Sequence, residues 1–284
     1  MLVEKKVYLS SRLKRILEQA EEEAMLSKDR IVKPIHIFVS CVQEKGGALG
    51  ELWIKLNLDF KECSVKEEET EIKPIKNDFF TTLISQDTAN VLQRAIDYMK
   101  GYNQIFLNEG HVLKALIVTK ALDDVLNEEC KQTIMTHGTT SRDMATNLEF
   151  YTFPPLDSLG IKKATPADEK QLVSFVKQHF SEEWAETIGD AFYHNEPNVY
   201  IAVDDSKAII GFAAFDVYKR KKGYFGPMGV IQSNRAKGIG YRLLHHCLRD
   251  MKELGYAYAI IGGAGPIEFY EKACQAVVIP TASK

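Results

Sequence analysis

The residues best suited to chemistry lie in one turn between a predicted strand and a long predicted helix, from Gly229 to Gly240. The first N–H groups of a helix have no partners within it, and the helix dipole makes that end positive. Glycine lets a diphosphate approach the main chain because it carries no Cβ. Arg235 and Lys237 add positive charge. The turn is therefore a candidate pyrophosphate site, and tight packing of its glycines remains the alternative.

Residues 235–240, Arg-Ala-Lys-Gly-Ile-Gly, match the R/Q-x-x-G-x-G/A signature of the GNAT acetyltransferases. The segment resembles that family in its position as well, after a strand and before an amphipathic helix. The resemblance implies that acetyl-CoA is the co-substrate, with its pyrophosphate on the amides of this loop. It also implies that the preceding strand splays from its neighbour, where free amides hold the pantetheine and the thioester oxygen. The cofactor-binding residues implied in this way are Met228, Gly229, Val230, Arg235, Ala236, Lys237, Gly238, Ile239, Gly240 and Tyr241.

A second motif, Phe-Tyr-Glu-Lys at residues 269–272, resembles the GNAT segment whose tyrosine lies near the coenzyme sulfur in many members. The resemblance implies that Tyr270 is catalytic and protonates the leaving thiolate. A phenol of pKa about 10 gives a proton to a thiolate of pKa about 8.5 only with help from geometry. The alternative role for Tyr270 is that of a core aromatic beside Phe269.

The general base for an amine acceptor is not evident from the sequence. Glu182 and Glu183, near the start of a predicted helix, and Asp216, on a predicted strand, are candidates. A solvated helix cap explains the two glutamates equally well, and a water chain is a further alternative. Cys247 falls on the apolar stripe of the long helix, so a covalent acetyl-cysteine route is not expected.

From Ile161 onwards, predicted strands and helices alternate. This succession agrees with an α/β GNAT fold with a mixed central sheet over residues 160–284. A GNAT domain normally closes with two more strands after the tyrosine motif, whereas the residues after Tyr270 have room for one. We therefore expect an acceptor wall that is incomplete or supplied by another subunit, as in a dimer.

The first half of the chain contains a repeat, because residues 9–42 align with residues 84–117 without a gap. Each copy is predicted to form two helices. His36 and His111 coincide, and both are expected to be hydrogen-bonded structural residues. The repeat resembles the amino-terminal domain of Clp-type AAA+ unfoldases, which implies an all-α domain over residues 1–145 and a protein partner. The glutamate that precedes the histidine in that family is replaced here by Ile35 and Gly110.

Other features bound the fold and the function. The acidic stretch Glu67–Glu71 is predicted to be a solvated linker between the repeats, and residues 146–159 a linker between the domains. The formal net charge of −3 gives no case for nucleic-acid or membrane binding. No signal core or membrane-spanning run is present, which predicts a cytoplasmic protein. Five dispersed cysteines predict reduced thiols and no metal site.

Two hypotheses about function follow from these patterns. The first is an acetyl-CoA-dependent N-acetyltransferase with a helical protein-interaction module. The second is an acetyl-CoA-binding adaptor or sensor of a Clp-type system that lacks turnover. The acceptor stays open in both. The basic run at residues 219–222 is interpreted as a solvated hairpin, with contact to an acidic acceptor as the alternative.

Overall fold

The computed structural model describes residues 7–56, 73–139, 141–156, 160–193, 196–235 and 237–281. The chain folds into two units, one of residues 1–141 and 280–284 and one of residues 142–279. The predicted linker Glu67–Glu71 lies outside the described residues. No helix in the described ranges is both long and apolar enough to cross a membrane.

The first unit is helical, as predicted. Its elements are β1 (Tyr8–Leu9), α1 (Ser11–Leu26), α2 (Pro34–Gln43), α3 (Ala48–Leu56), α4 (Gln86–Gly101), β2 (Phe106–Leu107), α5 (Glu109–Val118) and α6 (Glu128–His137). The aligned segments are the helix pairs α1–α2 and α4–α5. Each pair is followed by a third helix, α3 or α6, that the alignment did not include. Strands β1 and β2 pair in parallel, so the two repeats share a short sheet.

The two matched histidines close the amino-terminal ends of equivalent helices. His36 Nδ1 accepts the backbone N–H of Lys33 at 3.1 Å, and His111 Nδ1 accepts that of Asn108 at 3.2 Å. Both side chains are buried. Each therefore does what Glu or Gln does in a capping box, which satisfies an N–H that the helix cannot pair. The expected structural role of the histidines agrees with these contacts.

The second unit contains one mixed sheet. Its elements are β3 (Arg142–Asn147), β4 (Ile161–Lys163), α7 (Glu169–His179), α8 (Glu182–Ala191), β5 (Val199–Val203), β6 (Ile209–Phe215), β7 (Tyr224–Val230), α9 (Ile239–Glu253), β8 (Tyr258–Ala264), α10 (Ile267–Cys274) and β9 (Val277–Val278). The strand order is β4-β5-β6-β7-β8-β3-β9. Among the described strands of this sheet, only the β7–β8 pair is parallel.

Helices cover both faces of this sheet. Residues of α7 and α8 share one core with the side chains of one face, including Val199, Ile201 and Phe212. Residues of α9 and α10 share a second core with the opposite face, including Ala213 and Phe225. Successive strand residues point to opposite faces, which explains why neighbouring residues such as Phe212 and Ala213 enter different cores.

Strand β3 corrects two expectations about the domain. Its residues were assigned to the helical domain and the linker, but they form the strand between β8 and β9. Met144 and Leu148 are fully buried in the second core, so this segment belongs to the sheet unit. The position between β8 and β9 is therefore filled by a strand of the same chain, from the segment before the predicted domain.

The position of β3 predicts where the sheet unit begins. A fragment of residues 142–279 is expected to unfold cooperatively, because all seven strands of its sheet are present. A fragment of residues 148–279 is expected to lack a cooperative transition, since β8 and β9 lose the strand between them. Circular dichroism during thermal unfolding measures both. Equal midpoints for the two fragments would contradict the placement of β3.

The two histidines predict a pH-dependent stability of the helical unit. Mainly through burial, the pKa of His36 and that of His111 are lowered to about 4 in the folded chain. Between that value and about 6.5 the unfolded chain binds more protons, so the free energy of unfolding falls as the pH is lowered through this window. We expect a loss of about 1–3 kcal/mol per histidine by pH 4, allowing for solvent screening.

Urea unfolding at several pH values between 4 and 7.5 measures this loss. The matched control is the double variant His36→Gln/His111→Gln, because glutamine keeps a hydrogen-bond acceptor at the same helix position but does not titrate in this range. The loss should shrink in the variant. An unchanged dependence on pH would assign it to other groups.

Candidate active site

Strands β7 and β8 stop pairing partway along their length. They pair only at Tyr224 with Ile260 and at Phe225 with Ile261. Beyond Phe225, β7 continues to Val230 with β6 as its only partner strand among the described residues. A wedge therefore opens between two parallel neighbours, in the position that the resemblance implies, and we call it the β7–β8 wedge.

The register of β7 decides which amides face the wedge. The N–H of Ile231 donates to the carbonyl of Ile210, on the β6 side, at 3.0 Å. Because main-chain groups alternate along a strand, the N–H of Gly229 also points to β6, whereas those of Met228 and Val230 point into the wedge. The N–H groups of Met228 and Val230 therefore face the wedge and that of Gly229 faces β6, and the assignment of these three residues to coenzyme binding stays a prediction.

Gly229 has a different reason to be glycine. A Cβ at this position would lie 2.4 Å from Cε1 and 2.5 Å from Cζ of Phe180. The aromatic ring therefore packs directly on the main chain of β7, on the face opposite α9. Any larger residue at position 229 has to displace Phe180.

The turn after β7 leads into α9, whose amino terminus has no side-chain cap. Gly238 is the N-cap residue of α9, with a φ of 73°, and no side chain caps the helix. This left-handed conformation favours glycine, and a Cβ there would meet nothing within 4 Å. The first intrahelical bond joins Arg242 N to Gly238 O, so the N–H groups of Ile239, Gly240 and Tyr241 have no partner within the helix.

The helix terminus and the wedge adjoin each other. A Cβ built on Gly240 would lie 3.8 Å from Phe269 Cζ, 3.9 Å from Val230 Cγ2 and 4.0 Å from Met228 Cε. These are ordinary van der Waals distances, so Gly240 lies beside the wedge without being compressed. The uncapped N–H groups of α9 and the two wedge amides thus belong to one continuous surface.

The charged and polar residues of the turn are arranged unevenly. Arg235 is half-buried, and its Nε donates to the carbonyl of Val230 at 2.8 Å, which ties the turn to the end of β7. Lys237 is exposed next to the helix terminus. The Tyr241 ring packs on His245 at 4.2 Å. Ala236 lies outside the described residues.

Tyr270 lies at the closed end of the wedge. Its ring is buried, 6.4 Å from that of Phe225 and 4.9 Å from that of Phe269. Burial raises the pKa of the Tyr270 phenol, so the group stays neutral and keeps its proton. Among the described residues its hydroxyl has no hydrogen-bond partner. Both predicted roles, proton donor and core aromatic, are compatible with this position.

The candidate bases are engaged elsewhere or exposed. Glu182 is exposed in the first turn of α8 and pairs with Lys177, whose hydrogen bond and charge lower the pKa of this carboxyl. Glu183 is exposed in the same turn. Asp216 accepts a hydrogen bond from the Gly223 N–H and one from the Tyr256 hydroxyl, each at 2.7 Å. Asp216 therefore holds the turn between β6 and β7.

Thiol and metal chemistry find no support among the described residues. Cys247 is fully buried, and burial raises the pKa of its thiol well above the usual range. Cys41, Cys130 and Cys274 are likewise buried and unpaired, and Cys63 lies outside the described ranges. Within the described part of the chain, no group of three or more His, Cys, Asp or Glu residues could hold a metal ion.

The sequence did not reveal the residues beside the wedge on the sheet face opposite α9 and α10. We call this side the open face of the wedge. Phe180 packs on Gly229 there, and Tyr224 and Asp143 lie beside Gly262 and Gly263. The glycine pair in an apolar strand was the available signal, because glycine within a strand often marks a close approach of another group. The sequence alone did not say which group approaches.

Comparison with known proteins identifies the second unit. The model of the acetyltransferase (GNAT) family matches residues 169–274. No curated protein matches the chain. The expected fold class, a helix-rich amino-terminal region followed by a GNAT α/β fold with a mixed sheet, is confirmed.

Similar solved structures overlap the chain only in part. A GCN5-related N-acetyltransferase from Sphaerobacter thermophilus is 21% identical with a TM-score of 0.40, over 55% of this chain and 54% of its own. A GNAT family acetyltransferase from Brucella melitensis, in complex with acetyl-CoA, is 17% identical with a TM-score of 0.33, over 44% of this chain and 90% of its own.

A third similar structure concerns helical domains. The amino-terminal domain of the caseinolytic protease associated chaperone ClpD from Arabidopsis thaliana is 14% identical with a TM-score of 0.32, over 47% of this chain and 97% of its own. The chain spans less than two thirds of the length of several matched structures, 22% in the case of a fungal multi-domain β-N-acetylglucosaminidase.

Proposed function

Because residues 169–274 form a GNAT acetyltransferase domain, we propose that the chain transfers an acetyl group from acetyl-CoA to an amine. One observation carries the proposal: the unpaired amides of Met228 and Val230 adjoin the uncapped terminus of α9. A ligand with a diphosphate at one end and an amide-rich arm at the other fits this continuous run of donors. Acetyl-CoA has that chemistry.

The residues present suit the phosphate end of this substrate. Open space beside Gly238 lets phosphate oxygens reach the N–H groups of Ile239, Gly240 and Tyr241. The positive end of the α9 dipole and the charge of Lys237 favour an anion there. Arg235 lies in the turn that leads to this terminus, and the role of Ala236 stays a prediction from the motif.

The β7–β8 wedge suits the thioester end of acetyl-CoA. The N–H groups of Met228 and Val230 supply donors for the pantetheine arm and for the thioester carbonyl oxygen. A donor that is already aimed at this oxygen stabilises the negative charge that develops when an amine attacks. Tyr270, a neutral phenol beside Phe225, then gives its proton to the departing thiolate. The amine loses two protons in total, one to a base and one that replaces the proton of Tyr270.

The helical unit is proposed to recruit a protein partner. The support is its double helical repeat, which resembles the amino-terminal domain of Clp-type unfoldases. The alternative function, coenzyme binding without turnover, is favoured by the lack of an evident base among the three predicted ones, because Glu182 and Asp216 are already paired. Titration with acetyl-CoA together with assays of thiol release separates the two, because only the enzyme releases free coenzyme A when amines are added.

Coenzyme binding is the first test. Isothermal titration with acetyl-CoA is expected to show a single site. Lys237→Glu should weaken binding by about tenfold, because it places a negative charge beside the diphosphate. The matched control is Lys170→Glu, an exposed lysine in the first turn of α7, which should leave the affinity unchanged. Absence of binding at high micromolar acetyl-CoA would refute the proposal.

Tyr270→Phe tests the proton donor. The ring packing on Phe225 and Phe269 is kept, whereas the proton is lost. We expect kcat to fall by about 10–100-fold while the Kd for acetyl-CoA stays within about twofold. Steady-state release of coenzyme A and the titration above measure the two quantities. An unchanged kcat would assign Tyr270 to the core.

A further inference from the structure

A cluster of polar and aromatic side chains lies on the open face of the wedge. At the last paired position Phe225 enters the core beneath α9 and α10, so Tyr224 must point to the opposite face. Ala145 of β3 and Tyr224 of β7 both pair with Ile260 of β8, which puts them on the same face. Asp143, two residues before Ala145, projects there as well.

Asp143 has one carboxylate oxygen in use and one available. Its Oδ1 accepts the backbone N–H of Gly263 at 2.8 Å, which fixes the carboxylate against β8. Among the described residues its Oδ2 has no partner, and the residue is exposed. A carboxylate held in this way by the main chain is aimed at solvent without needing a cation from the protein.

Tyr224 brings a hydroxyl to the same place. Its oxygen lies 1.7 Å from where a Cβ of Gly262 would stand, next to the residue that binds Asp143. No hydrogen-bond partner for this hydroxyl occurs among the described residues. Burial and the nearby charge of Asp143 raise the pKa of Tyr224, so the hydroxyl stays neutral. The ring stacks on Tyr218 at 5.5 Å, which extends the cluster into an aromatic surface.

Positive charge borders this aromatic surface. Lys221 Nζ lies 5.1 Å from the Tyr224 ring centre and 5.7 Å from that of Tyr218, and Lys219 Nζ lies 5.2 Å from the latter. The fourth member of the basic run, Lys222, lies 3.5 Å from Asp216 and is partly neutralised. Asp143 therefore supplies a carboxylate near Tyr224, and Lys219 and Lys221 supply positive charge beside the rings of Tyr218 and Tyr224.

We propose that this cluster is the acceptor site and that it takes a primary amine carrying an anionic group, such as a carboxylate. The ammonium group of the acceptor binds Asp143 Oδ2 and the Tyr224 hydroxyl oxygen. The anionic group binds Lys221 or Lys219. A polyamine, whose charges are all positive, is disfavoured by the same two lysines. This inference rests on the proposed acetyl transfer and names the class of its acceptor.

The chemistry balances with Asp143 as the base. The carboxylate takes one proton from the acceptor ammonium, and the free amine nitrogen forms a bond with the thioester carbonyl carbon. The carbon–sulfur bond then breaks and the electron pair leaves with sulfur. The second nitrogen proton restores the proton that Tyr270 gives to the thiolate. Asp143 releases its own proton to solvent.

Matched amines test the acceptor class on the full chain. L-Phenylalanine is compared with 2-phenylethylamine, and L-lysine with cadaverine, because each pair differs by one carboxylate. We expect kcat/KM to be higher for the amino acid of each pair by about two- to fivefold, the effect of one charge pair at an exposed site. Lys221→Gln should reduce this ratio, whereas Lys170→Gln should leave it unchanged.

Asp143→Asn tests the base. Asparagine can still accept the N–H of Gly263 through its side-chain oxygen, so the strand contact is kept while the charge is lost. We expect kcat/KM for both members of a pair to fall by about 100-fold, with the Kd for acetyl-CoA within about twofold. Glu149→Gln, an exposed carboxyl further along the same segment, is the control and should change neither. Thermal unfolding verifies that each variant is folded.

The outcomes separate this inference from the proposed function. Turnover that is insensitive to Asp143→Asn, or that prefers the amines without a carboxylate, overturns the acceptor site and leaves acetyl transfer standing. Acetyl-CoA binding with no turnover of any of the four amines also overturns the acceptor site. Absence of acetyl-CoA binding removes both proposals.

Discussion

The site depends on the loss of pairing between two parallel strands. After Phe225 and Ile261, β7 has no partner on its β8 side among the described residues. An unpaired main-chain N–H that is removed from water costs about 1–3 kcal/mol, so the wedge has to be hydrated or filled by a ligand. Because the unpaired N–H groups of β7 need hydrogen-bond acceptors, the wedge can bind a ligand that is rich in carbonyl groups.

The rest of the sheet compensates for this opening. Strand β8 leaves β7 after two paired residues but pairs with β3 along most of its length. The segment before the family match is thus a structural part of the domain, because β8 would otherwise have almost no partner. The same strand brings Asp143 to the wedge. One element therefore supports the divergent strand and supplies the carboxylate that we assign to the acceptor.

Local features of this fold could be predicted from the sequence, and pairings distant in sequence could not. The glycines before α9 were predictable because a helix terminus and its turn are specified by adjacent residues. His36 and His111 were predictable because the repeat aligns them. The place of β3 was not, since its partners lie more than a hundred residues away and six residues with a single buried apolar side chain carry a weak pattern. The direction of the Gly229 amide depended on the register of β7 against β6.

Amide hydrogen exchange, resolved by nuclear magnetic resonance, tests the central claim most directly. In the free protein, the Gly229 amide should be protected by β6, whereas the amides of Met228 and Val230 should exchange rapidly. Saturating acetyl-CoA should slow the exchange of Met228 and Val230. Protection of these two amides before acetyl-CoA is added, or exchange that acetyl-CoA leaves unchanged, would contradict the account.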